Sequence, residues 1–274
     1  MTMVAPARSD SRGFALLIVL WALVLLALIV AEMGTSGRLE AKIGRNLMGN
    51  AVAEAAADGA LYETIFHLSD GTDKAWQADG TLRRLTLGPV PVDIRVEDEA
   101  GKINPNMAGA DLLQALMVVV GADKGQAQAV AQAITDWRGG AQPEQQASIA
   151  GQYQAAGLKY QPSFAPFESA DEVGLVLGMT PDLAARLTPH LSVHQIGISD
   201  PTKADPIVAR ALAQLSSSTT PTAPGAPMAY RSVTITAVAH EPGGGRFTRR
   251  AVVRLGPGLP RGYALLVWAA PGAE

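Results

Sequence analysis

Residues 14–31 read FALLIVLWALVLLALIVA, and the next charged residue is Glu32. Eighteen apolar residues in helical form extend about 27 Å, close to the hydrocarbon thickness of a bilayer. The run therefore predicts a transmembrane helix over 14–31. A short polar leader carrying Arg8 and Arg12 precedes it, and Gly13 immediately abuts it. A cleavable signal peptide would also begin with basic residues and an apolar core, and Met33-Gly34-Thr35-Ser36-Gly37 could serve as its exit region. Against removal, the apolar run is long for a signal core and the helical pattern continues past it. Leu39, Ile43, Leu47 and Ala51 recur every four residues, and Leu61, Ile65 and Leu68 extend the stripe. The expectation is a retained segment and one long helix over 14–70.

The 274 residues include 22 basic and 25 acidic side chains, a formal charge of −3. So balanced a surface argues against a nucleic-acid partner. With no cysteine, thiol chemistry and disulfide staples are excluded, and stability must come from packing, assembly or a metal. The leader's basic residues favour a cytoplasmic N-terminus, with the bulk of the chain on the opposite side, although Asp10 sits among them.

Beyond the long helix, Thr81–Leu87 alternates imperfectly, and Val90–Val96 alternates well, with Val90, Val92, Ile94 and Val96 on one face. A polar connection, Glu97–Asn106, leads into helical segments at 110–120, 124–137, 169–177, 180–187 and 205–215. Thr180 with Pro181 marks one helix start. The stretch 141–167 reads as loosely ordered. Residues 216–227 are a flexible linker of Ser, Thr, Pro, Ala and Gly. Strands return at 231–239, 247–255 and 263–268, the first two joined by the hairpin signal Glu241-Pro242-Gly243-Gly244-Gly245. Neither strand group makes a comfortable sheet alone, so a shared sheet is attractive. The expected fold is α+β, with a small antiparallel sheet formed by residues 71–96 and 228–270 and an all-helical insertion over 97–215.

This arrangement resembles the pilin-like proteins of bacterial secretion, and most closely the general secretion pathway protein K family, the large minor pseudopilin of type II secretion. The resemblance rests on the basic leader ending in Gly13, on Phe14 opening the apolar helix, and on three blocks in order: VEDEAGKIN at 96–104, ITDW at 134–137 and FESADEVGLVLGMT at 167–180. It spans most of residues 12–268 and implies a pilin-like fold. It implies that a prepilin peptidase cuts between Gly13 and Phe14, removing a leader of residues 1–13 and methylating the new terminus. Most pseudopilins carry glutamate as the fifth mature residue, and the K family lacks it; here that position is Ile18. A tip subunit has no neighbour above it for such a carboxylate to engage, and an unpartnered carboxylate in lipid is costly.

The resemblance further implies a noncatalytic subunit of the pseudopilus tip complex, priming assembly for protein export across the outer membrane. The implied partners are other minor pseudopilins, the major pseudopilin, the peptidase and an inner-membrane assembly platform. The implied location is the inner membrane, single-pass, with the globular part in the periplasm. Relatives can hold Ca2+ in the inserted domain near the tryptophan motif. Asp136 and Glu144 are the loose candidate ligands, but Arg138-Gly139-Gly140-Ala141-Gln142 lacks the dense acids that usually follow. His194–Ala204 also departs from the family's asparagine-rich stretch. Gly101, Asn104 and Asn106 read as a structural turn and cap. His67, His190, His194 and His240 show neither metal-ligand spacing nor an acid partner in sequence, so no catalytic constellation emerges. Two alternatives stay open: a minor pilin of a type IV pilus or DNA-uptake machine, and a membrane-anchored periplasmic binding or hydrolase module.

Overall fold

The computed structural model describes residues 12–72, 74–216 and 230–271, so most of the leader and the linker lie outside the described residues. Helix α1 (Arg12–Ser69) is continuous over 58 residues. Its last four turns present Ala53, Ala56, Ala57, Ala60, Leu61, Ile65 and Leu68 as a buried stripe. The small alanines let a sheet approach closely. The leucines and isoleucine supply the apolar area, each worth about 1.5–3 kcal/mol when fully buried.

The expectation of a transmembrane helix over 14–31, and with it a single-pass inner-membrane location, is overturned. Among the described residues, no helix is long and apolar enough to cross a membrane. The fold class is therefore corrected to α+β with a five-stranded sheet and helical insertions, with no helix among the described residues long and apolar enough to cross a membrane.

The sheet has strand order β1-β2-β3-β4-β5: β1 (Arg83–Leu87), β2 (Val90–Asp98), β3 (Arg231–His240), β4 (Arg246–Leu255) and β5 (Tyr263–Ala269). All pairings are antiparallel. Alternation decides the faces. Val90, Val92, Ile94 and Val96 of β2 join Val233, Ile235, Ala237 and Ala239 of β3 and Ala251, Val253 and Leu255 of β4 against α1. Strands β2 and β3 pair from Val92↔Ala239 to Asp98↔Val233, so all of residues 99–230 leave from and return to one point of the sheet.

That intervening chain has its own core. Helices α2 (Ala110–Val119), α3 (Lys124–Thr135), α4 (Pro143–Ala155), α5 (Pro181–Leu187) and α6 (Pro206–Ser216) surround Leu113, Leu116, Met117, Val130, Ile134 and Leu183. Caps fix the helix starts. Asp123 accepts from the Gly125 and Gln126 amides, Thr180 from Leu183, and Asp205 from Ile207 and Val208. Two readings of the sequence fail here. Residues 141–167 are not loose throughout: α4 begins at Pro143 and buries little beyond Tyr153. The helix expected over 169–177 is only a short 3-10 turn, Asp171–Leu175.

Candidate assembly surface

Helix α1 divides at Gly49. The β3–β4 turn reaches α1 there so closely that a Cβ on Gly245 would sit 2.7 Å from the Gly49 carbonyl. Glu241 shapes the turn by accepting from the Gly243 and Gly245 amides at 2.7 and 3.3 Å. Below this contact the helix is clamped to the sheet by charge as well as by packing. Arg249 of β4 donates to Asp58 at 2.6 Å and to Glu54 at 2.7 Å. Its guanidinium also stands 4.8 Å from the Phe247 ring and 5.3 Å from Trp268. Burial by itself would lower the Arg249 pKa, but the two carboxylates more than offset it and raise the value above the ordinary guanidinium range.

Above Gly49 the described side chains of the helix, at 14–30 and 40–48, are exposed. From Phe14 to Val30 the large apolar side chains are between 49% and 75% exposed. Phe14 and Ile18 lie in this stretch, Ile18 at 53% exposure. Gly13 is helical, so the Gly13–Phe14 bond sits within the first turn of α1 and not in extended chain. Ile43, Leu47 and Met48 are likewise exposed. An uncovered apolar surface of this extent marks a place where another molecule packs.

The three sequence blocks meet at the junction between the sheet and the inserted helices. Glu99, only 2% exposed, accepts from Lys102 Nζ at 2.8 Å and from Thr234 Oγ1 of β3 at 2.6 Å. Burial would raise its pKa, yet the Lys102 charge and hydrogen bond, with help from Ser192 and Thr234, hold the carboxyl below the usual range. Asp98 pairs with Lys203 at 2.9 Å, and the Asp200 amide donates to the Ala100 carbonyl at 2.7 Å. Gly101 is required: a Cβ there would run into the Lys203 carbonyl oxygen. Asn104 ties the segment to Gln195. Asn106 exchanges two hydrogen bonds with the backbone of Phe167, at 2.7 and 2.9 Å. Trp137 stacks on Phe167 with ring centroids 5.9 Å apart, and Arg138 donates to the Pro105 carbonyl at 2.6 Å. Gly101, Asn104 and Asn106 are thus cross-braces of the insertion as well as a local turn.

A cleft of about 950 Å³ opens beside this junction, with Glu97, Glu99, Lys102, His194 and Arg250 among its walls. Burial lowers the His194 pKa; Glu99 counteracts this, while Arg254, Arg250 and Lys102 reinforce it.

The candidate calcium ligands do not build a site. Asp136 accepts from Gln132 Nε2 at 2.9 Å, Glu144 is exposed at the start of α4, and no group of three or more His, Asp or Glu among the described residues is arranged to hold a metal. The histidines were misread as lacking acid partners. His190 contacts Asp205 at 2.7 Å, His240 contacts Asp93 at 3.3 Å and His67 lies 3.8 Å from Glu63. The His190 and His240 pairs join residues far apart in sequence, so spacing could not reveal them; His67 and Glu63 are only one helical turn apart, a spacing that could have. His67 also stacks on Trp76 at 4.6 Å.

A family model described as Type II secretion system (T2SS), protein K matches residues 82–196, from β1 through the junction. Among solved structures, a chain of the GspK–GspI–GspJ complex from the type 2 secretion system of enterotoxigenic Escherichia coli is similar in fold. It has a TM-score of 0.55 and 16% identity, over 85% of this chain and 98% of that chain. No curated protein matches by sequence.

Proposed function

We propose that this chain, whose residues 82–196 match a family model described as Type II secretion system (T2SS), protein K, is a noncatalytic minor pseudopilin that joins other minor pseudopilins in the tip complex of a pseudopilus and primes its assembly for protein export. The observation that carries this reading is the uncovered apolar half of α1 on a chain with the family's insertion. Such a half-helix is stabilised when partner helices cover it, and helices pack by interlocking side-chain ridges and grooves. The solved relative is itself part of a GspK–GspI–GspJ complex, which supports minor pseudopilins as the partner class. The major pseudopilin below the tip and the system's assembly platform complete the set.

Gly13 and Phe14 are proposed as the processing site. Because that bond is helical, the peptidase acts after the first turn of α1 frays, a low-energy event at a helix end. Ile18 takes the place of the shaft subunits' acid. The bulk of the inserted helices would disfavour addition of a further subunit above this one, so both features favour a terminal position.

The test is the N-terminal mass after coexpression with and without the prepilin peptidase. Loss of residues 1–13 only when the peptidase is present is the expected result. An intact terminus in both samples contradicts the reading. Ile18→Glu separates the two causes of tip placement: incorporation along the shaft points to the missing acid, and retention at the tip points to the bulk of the insertion.

A further inference from the structure

We propose that the outer edge of β5 receives a neutral, extended β-strand from a partner chain, adding a strand to the sheet and completing its cover over α1. The identity of the partner class rests on the pseudopilin reading above; the existence of the edge site does not.

The two edges of the sheet differ. Strand β1 is five residues long and carries Arg83 and Arg84, which blunts it against further pairing. Strand β5, YALLVWA, has no charged residue and no proline. Among the described residues it pairs only with β4. Its outward N–H and C=O groups form a row whose natural complement is another extended backbone.

Helix α1 overhangs the sheet on this side. Tyr62 lies 5.7 Å from the Trp268 ring yet is 48% exposed. Phe66, one turn further along the same helix face, is 71% exposed. Leu265, paired with Val253 on the α1 side of β5, is 39% exposed. Leu265 and Trp268 share this face, although three residues apart, because the β4–β5 register shifts at Leu266; one more strand at the usual spacing of about 4.8 Å that follows this irregularity would place side chains beside Leu265, Trp268 and the two helix aromatics. Those positions of the incoming strand must be apolar. Its opposite positions would flank Ala264, Val267 and Ala269, which share the far face of β5 with Arg254, Val252 and Arg250 of β4. A partner helix would leave the edge groups of β5 unpaired, so the occupant is a strand.

The test coexpresses the full chain with the other minor pseudopilins of its secretion system and measures backbone hydrogen exchange in β5, free and assembled. At least tenfold slower exchange across Tyr263–Ala269 on assembly is expected. Leu265→Lys, an edge charge at an exposed position, should weaken the complex at least tenfold, whereas Thr86→Lys on the opposite edge should leave it unchanged. Leu265→Thr serves if the lysine variant fails to fold, with a smaller loss expected. A stable complex in which β5 exchange and the Leu265 variants are unaltered overturns the edge site and leaves the pseudopilin reading standing. If the unaltered chain forms no complex with any minor pseudopilin, the pseudopilin reading fails and takes the partner assignment with it.

Discussion

The two halves of α1 are one continuous helix with opposite surroundings. From Ala53 to Leu68 its inward face is alanine-rich and buried beneath the sheet, whereas from Phe14 to Val30 it is apolar on every side and exposed. A stripe of small and medium side chains implies one partner on one face. An apolar surface all round implies cover on several sides. The buried half's partner lies in the same chain; among the described residues, none covers the exposed half.

The comparison breaks most sharply under matched truncations. Leu61→Ala, in the buried half, should destabilise by about 3 kcal/mol through lost burial and a cavity. Leu20→Ala, in the bare half, should stay within about 0.5 kcal/mol. Urea unfolding of the two variants checks this, and equal losses would mean that the bare half is covered within the chain itself.

Arg249→Ala should rank next, at about 2 kcal/mol, because Asp58 and Glu54 lose their partner and the Phe247 and Trp268 rings lose their packed guanidinium. The figure is set below that of a fully buried pair because both carboxylates retain solvent contact, with side chains 32% and 48% exposed. The same unfolding curves measure it. Asn106→Ala should cost about 1.5 kcal/mol, since the Phe167 amide and carbonyl lose their partners. Its effect should fall on the inserted helices and leave exchange at Ala53–Leu68 unchanged.

The smallest effect concerns pH. His194 is held neutral, its folded pKa below 6.5. The unfolded chain then binds more protons below that pH, and stability declines as pH falls through 6.5. Glu99 has a folded pKa below the ordinary 4.5. Its contribution is fully present above 4.5 and is lost as pH falls through the folded value. Thermal unfolding between pH 7 and 3 should show both phases. His194→Gln should remove the first and Glu99→Gln the second.

Much of the scaffold was legible because it is local. The alternation of Val90–Val96 located β2, Thr180 with Pro181 announced the helix it caps, and Glu241–Gly245 announced a hairpin. Helix α4 escaped because PEQQASIAGQYQA lacks an apolar period, its fully buried residue being Tyr153 alone. The stretch at Asp171–Leu175 forms only a 3-10 turn because Val173 alone is buried there while Leu175 faces solvent, too little apolar anchorage for a longer helix. The 18-residue run over 14–31 was read from composition as a membrane span, whereas no helix among the described residues is long and apolar enough to cross a membrane. At the junction, the motif residues were visible but their partners were not. Asn106 meets Phe167 across 61 positions and Glu99 meets Thr234 across 135. Such pairings follow from how two cores are joined, which no local pattern encodes.

The most direct measurement is native mass spectrometry of the full chain coexpressed with the other minor pseudopilins of its secretion system, beside a Leu20→Glu, Leu23→Glu variant that places charge on the bare half of α1. A discrete heteromeric complex containing one copy of this chain, lost in the variant while the sheet and inserted helices stay folded, is the predicted result. A complex that survives the double charge, or a chain that stays alone in both samples, would contradict assembly through the bare half of α1.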